Sequence, residues 1–274
     1  MSGVLLAVLA AVAYGTSDFY AGVLSRRSHF ALVGLVSQIA AAAATTVAAV
    51  AVGGTLSAQA FWWGAISGFG AILGTLSLYR GLARGAMNVV GPISAVGAAG
   101  IPVIFAILTG ERPSLLAFGG ILIALPAVWM VASSPDRTAG PRAGVTDGIL
   151  AGVGFALLFI ALNRAGHDSG LWPTSVSQVT GLLVLIGYLA IARPPRSNSL
   201  PWRAAAVGIL GAAAIVLFVI ASRTALLSVT AVITSSYPAI TVLLAALLLG
   251  ERASRLQIGG LALSAVSVVA FALA

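Results

Sequence analysis

The chain has 274 residues, 60% of them hydrophobic and 7% charged, with fourteen basic residues, six acidic residues and a formal net charge of +8. A water-soluble domain carries about a quarter of its residues charged, so a soluble globule is excluded and an integral membrane protein remains, its side chains facing lipid or other helices. The absence of cysteine excludes disulfides and thiolate sites, and the two histidines, His29 and His167, leave little for imidazole chemistry.

A spanning helix needs roughly 20 mostly apolar residues. Runs of that kind fall at 3–24, 30–52, 60–79, 87–108, 115–132, 145–162, 171–191, 202–221, 229–249 and 256–274, separated by polar, Gly- and Pro-bearing breaks. The fold expected is all-α integral membrane with ten transmembrane helices. A β-barrel would instead show segments of about ten residues alternating in polarity. The first run lacks a basic lead and a small-residue cleavage site, so it reads as a retained helix rather than a signal peptide.

Shifting the sequence by 140 residues superimposes several polar islands at once. Val36-Ser37-Gln38 lands on Val176-Ser177-Gln178, Trp62 on Trp202, Gly68 on Gly208, Gly110-Glu111-Arg112 on Gly250-Glu251-Arg252, Ser114 on Ser254, and Gly119-Gly120 on Gly259-Gly260. The chain therefore divides into a five-helix repeat at 1–134, an inter-repeat loop at 135–144 and a second repeat at 145–274. Five being odd, the second half enters the membrane from the opposite side. Loop charge tests that expectation independently. The odd-numbered loops hold Arg26, Arg27, Arg80, Arg84, Arg137, Arg142, Arg193, Arg196, Arg203, Arg252 and Arg255, against Arg112, Arg164 and Arg223 in the even ones. Two inverted repeats in one fixed orientation produce this distribution, with the odd loops cytoplasmic and both termini outside. The arginines sit singly or in pairs between apolar runs, so their partner is the anionic lipid surface and no nucleic acid is expected.

The ten-helix, two-repeat plan, the Tyr14-Gly15-Thr16-Ser17-Asp18-Phe19 segment and the paired Gly-Glu-Arg-x-Ser tags (Gly110 to Ser114, Gly250 to Ser254) resemble the EamA family of the drug/metabolite transporter superfamily over essentially the whole chain. The resemblance implies an inner-membrane carrier that exports amino acids, related metabolites or toxic compounds.

Candidate transport residues follow from polarity inside the spans. Asp18 is the only acid well inside one, and an ionisable group in hydrocarbon costs several kcal/mol without a cavity or partner. It reads either as a proton-coupling carboxylate or substrate counter-charge, or as an interfacial anchor about two turns before Arg26. Tyr14 and Ser17 share its helix side at i, i+3 and i+4 spacing. Gly91-Pro92 and Gly100-Ile101-Pro102 in the fourth span, and Tyr237-Pro238 in its mate, predict interrupted helices at corresponding positions, the best sequence pointer to a carrier's substrate site. Asn88, Pro92, Ser94, Thr234, Ser235 and Tyr237 are the candidates there, against a reading as packing kinks. Gln38 and Gln178 either line a cavity or bond between helices. Trp62, Trp63, Trp172 and Trp202 read as interfacial belt residues, Gly64-x-x-x-Gly68 and Gly70-x-x-x-Gly74 as close helix contacts, and the Glu-Arg pairs as local caps of each half's last helix.

Enzyme classes fail on inventory: both histidines lie in loops, intramembrane acids do not occur in pairs, and without lysine no Walker motif exists. The sequence thus predicts a non-enzymatic secondary carrier of a bacterial inner membrane, working without cofactor or metal as a monomer or homodimer on a small-molecule substrate. A passive channel is the alternative, though no ring of like charge lies inside the spans.

Overall fold

The computed structural model describes residues 2–25, 30–83, 87–133, 144–166, 168–192 and 201–274, and among them every regular element is helical. In hydrocarbon each backbone N–H and C=O must find its partner within the element, which a helix alone provides for a single segment. The helices are α1 (Ser2–Ser25), α2 (Phe30–Val52), α3 (Ala58–Ala83), α4 (Met87–Leu108), α5 (Leu115–Ala132), α6 (Val145–Arg164), α7 (Trp172–Ala192), α8 (Ala204–Thr224), α9 (Leu227–Thr234), α10 (Tyr237–Leu249) and α11 (Arg255–Leu273). Among the described residues ten stretches are long and apolar enough to cross a membrane, with α9 and α10 together forming the ninth. The inter-repeat loop lies outside the described residues apart from Gly144, as do His29, His167 and seven of the arginines counted above.

The helix ends are chemically specified. The Ser114 hydroxyl accepts the Ala117 N–H and caps α5, while Ser254 and Gln257 form a reciprocal capping box on α11. Gly250, at φ 68°, takes the left-handed position that ends α10. The expected pair of broken helices is realised on one side alone. α4 runs through Pro92 and Pro102 without interruption, whereas its mate stops at Thr234 and restarts at Tyr237. Pro238 falls in the first turn of α10, where the missing N–H costs nothing, and Ser235 and Ser236 turn the chain between the two pieces. In α4 each proline leaves one carbonyl, those of Asn88 and Ala98, without a helical donor.

Packing couples the two halves throughout. α3 lies along α6 and α1 along α8; α3 meets α7 and α2 meets α8; α4 meets α6, and α1 meets α9 and α10. Each of these couples exchanges helices that match under the 140-residue shift. α2 with α7, α4 with α9 and α5 with α11 each meet their own match. Single residues repeat the pattern: Gly68 packs on the carbonyl of Ser177, and Gly208 on that of Ser37. The glycine spacing in α3 serves two neighbours, Gly64 and Gly68 approaching α7 at Pro173 and Ser177, Gly70 and Gly74 approaching α6 at Gly154 and Phe155.

Core packing is concentrated in one half of the bundle. Ala7, Ala99, Val103, Ala117, Ile121, Ala221, Val229, Val232, Ile233 and Phe271 form one buried cluster, and Phe159, Phe218 and Leu227 belong to a second. The Phe159 and Phe218 rings lie 4.5 Å apart. The first cluster joins the N-terminal part of α1 to the C-terminal parts of α4 and α8 and the start of α5. By the alternation of spans these ends share one face, and that face is packed shut.

Trp62 and Trp202 project outward at span ends. Trp172 departs from the belt expectation, since its indole N–H donates to the Gly54 carbonyl at 3.1 Å and ties α7 to the α2–α3 loop.

Candidate solute-binding cavity

On the other face the bundle holds a cavity of about 580 Å³. Its walls come from the C-terminal halves of α1 and α3, the N-terminal halves of α2 and α8, and the middles of α4, α6 and α7, together with Tyr237 at the α9–α10 break. Ser25, the last residue of α1, still belongs to the lining, so the space runs from the bundle's middle to the end of that helix. This size lies within the range of small-molecule sites, roughly 300–1,000 Å³.

Asp18 sits in this wall with its side chain open to the cavity. Its position follows from a glycine one turn earlier. Gly15 presses against the Tyr237 carbonyl and Ile240, where a side chain would collide, and the Thr241 hydroxyl donates to the Gly15 carbonyl at 3.1 Å. α1 is thereby fixed against the start of α10, with the Tyr14 and Tyr237 rings 6.2 Å apart and inclined at 52°. Tyr79 enters from α3, so Asp18 shares the cavity wall with three tyrosines.

The remaining polar lining is largely engaged. Ser17 donates its hydroxyl to the Val207 carbonyl at 2.9 Å and Ser37 donates to that of Ala204 at 3.0 Å, each binding an N-terminal-half helix to α8. The Gln38 amide donates to the Gln178 side-chain oxygen at 2.8 Å and to its backbone carbonyl at 3.0 Å. The two glutamines thus line the cavity and bond across α2 and α7 at the same time. At the rim Arg80, the residue after Tyr79, is turned away: its guanidinium holds the buried Asp147 carboxylate at 2.6 and 2.7 Å and joins α3 to α6.

Six of the residues nominated from sequence meet here: Tyr14, Ser17, Asp18, Gln38, Gln178 and Tyr237. The others do not. Pro92 is buried within α4, and Ser94 returns its hydroxyl to the Gly91 carbonyl at 3.0 Å. Thr234 and Ser235 are fully buried at the helix break, away from the cavity lining, and their hydroxyls find no partner among the described residues. Asn88 belongs to α4, and its side chain lies outside the described residues. Sequence reasoning missed Thr75, Tyr79, Phe155 and Phe159. The last two left a signal, an aromatic pair at i and i+4 in a stretch of small residues; Tyr79 beside Arg80 reads as a span-end pair until α3 is packed.

In the first Glu-Arg tag the acid acts differently from a local cap. Glu111 reaches across to the second half, where it accepts the Leu227 and Ser228 N–H groups at 2.7 and 3.1 Å and the Ser228 hydroxyl at 2.7 Å. Capping of α5 falls to Ser114 instead.

Ten helical spans among the described residues, long and apolar enough to cross a membrane and packed around a chamber of small-molecule size, define a multi-pass membrane protein. Residues 142–273 match the sequence model of the EamA-like transporter family, part of the drug/metabolite transporter superfamily. The family is one of membrane transporters rather than enzymes. A solved crystal structure superposes on 99% of this chain and 96% of its own with a TM-score of 0.79 at 16% identity, which establishes the shared fold. Comparison with curated proteins finds no match.

Proposed function

We propose that the chain is a secondary carrier that exports a small metabolite across a bacterial inner membrane by alternating access. The observation that carries the reading is the cavity itself, lined from both halves, extending to one face and ending against a packed core on the other. Inverted halves offer alternating access through rocking about a central site, since each supplies one gate. The exchanged packing of α1 with α8 and of α3 with α6 supports two matching halves of this kind. The face to which the cavity extends carries the arginine-rich loops, which makes it cytoplasmic under the charge rule, with both termini outside. The closed opposite face supports a carrier over a passive channel, which needs a continuous path.

Because the chain has no cysteine, a single Thr75→Cys tests the proposal. Maleimide should label it from the cytoplasmic side, and a metabolite that inverted vesicles transport should protect it. Equal labelling with and without that metabolite overturns the site.

A further inference from the structure

Among the described residues that line the cavity Asp18 is the sole carboxyl group, and no arginine or histidine stands opposite. The nearest rim guanidinium on α3, that of Arg80, is bound to Asp147. Around the carboxylate stand the rings of Tyr14, Tyr79 and Tyr237, with Phe155 and Phe159 on the α6 side. A carboxylate inside an aromatic enclosure attracts a cation twice, by charge and through the negative faces of the rings.

The donors point the same way. An anionic group needs a cation or several N–H or O–H donors; Ser17, Ser37 and Gln38 already donate to Val207, Ala204 and Gln178, which leaves neutral hydroxyls such as those of Thr75 and Tyr14 and no cation among the described lining residues. An amino acid would therefore bring an ammonium that the site can hold and a carboxylate that it meets with repulsion from Asp18.

Taking the cavity to be the carrier's solute site, as proposed above, we infer that its substrate class is an organic monocation with an aromatic or aliphatic body, held by Asp18 and the tyrosine rings, with anions and zwitterions discriminated against. An amine or quaternary ammonium of up to drug size fits the 580 Å³ available.

The test uses the purified full-length protein in nanodiscs with radiolabelled phenethyltrimethylammonium, competed by 3-phenylpropionate and by phenylalanine. Saturable binding is expected, with neither competitor effective. Asp18→Asn should weaken it on the order of a hundredfold and Tyr237→Leu about three- to tenfold, while Asp18→Glu stays close to wild type. Tyr237→Leu keeps the test open where Asp18→Asn fails to yield monodisperse protein. Unchanged affinity in Asp18→Asn, or competition by phenylalanine equal to that of the unlabelled cation, overturns the inference. Protection of Thr75→Cys separates the two readings. If phenylalanine protects and the cation does not, the carrier site stands and the cation preference falls; if neither protects, both fall.

Discussion

Glu111 holds Ser228 by two contacts, accepting its backbone N–H at 3.1 Å and its hydroxyl at 2.7 Å. With the Leu227 N–H also bound, the carboxylate caps α9 from the opposite half of the chain, at the positive end of that helix. This contact lies on the packed face, where a carrier has to separate its halves to expose the cavity on the other side.

Glu111→Ala should therefore destabilise the closed face. Hydrogen bonds to a charged group contribute about 1.5–3 kcal/mol, which corresponds to a fall of roughly 3–5 °C in Tm for a chain of this size. Ser228→Ala, which leaves both N–H contacts, should cost about half as much. Thermal scanning in detergent measures both, and an unchanged Tm in Glu111→Ala removes the latch.

The α3–α6 contact depends on the absence of a side chain at Gly154. A methyl group there would strike the Gly74 nitrogen and the Gly70 carbonyl, both backbone atoms unable to turn aside. Gly154→Ala should cost about 1–3 kcal/mol or reduce the yield of monodisperse protein. Gly187 in α7 faces open space, and Gly187→Ala should be neutral or more stable by up to about 1 kcal/mol. Equal behaviour of the two variants would show that the close approach does not matter.

Asp18 offers one carboxylate to a proton or to a solute, so a proton moving inward can be exchanged for a solute moving outward. Asp18→Asn should abolish accumulation driven by a pH gradient in proteoliposomes, while exchange of labelled for unlabelled solute stays measurable at saturating concentration. Full gradient-driven uptake in this variant would rule out a coupling role.

Composition and periodicity alone determined that lipid is the solvent, how many spans there are and where most of them end, because the cost of exposing polar backbone to hydrocarbon is local and acts on every residue. The 140-residue repeat and Asp18 as the acid inside a span were legible for the same reason: polar residues are rare enough in these helices to stand out. Packing decided the rest. Pro92 and Pro102 are tolerated in a continuous α4 while Pro238 begins a new helix, a distinction that depends on where each proline falls relative to a helix start. Tyr79 joins Tyr14 and Tyr237 around Asp18 because α10 packs on α1 while α3 lines the same cavity, whereas Thr234 and Ser235, equally polar in sequence, are sealed into the core. Glu111 likewise caps a helix more than a hundred residues away. A sequence records how each residue partitions between lipid and protein; which residues then share a cavity is fixed by the helix contacts made across the two halves.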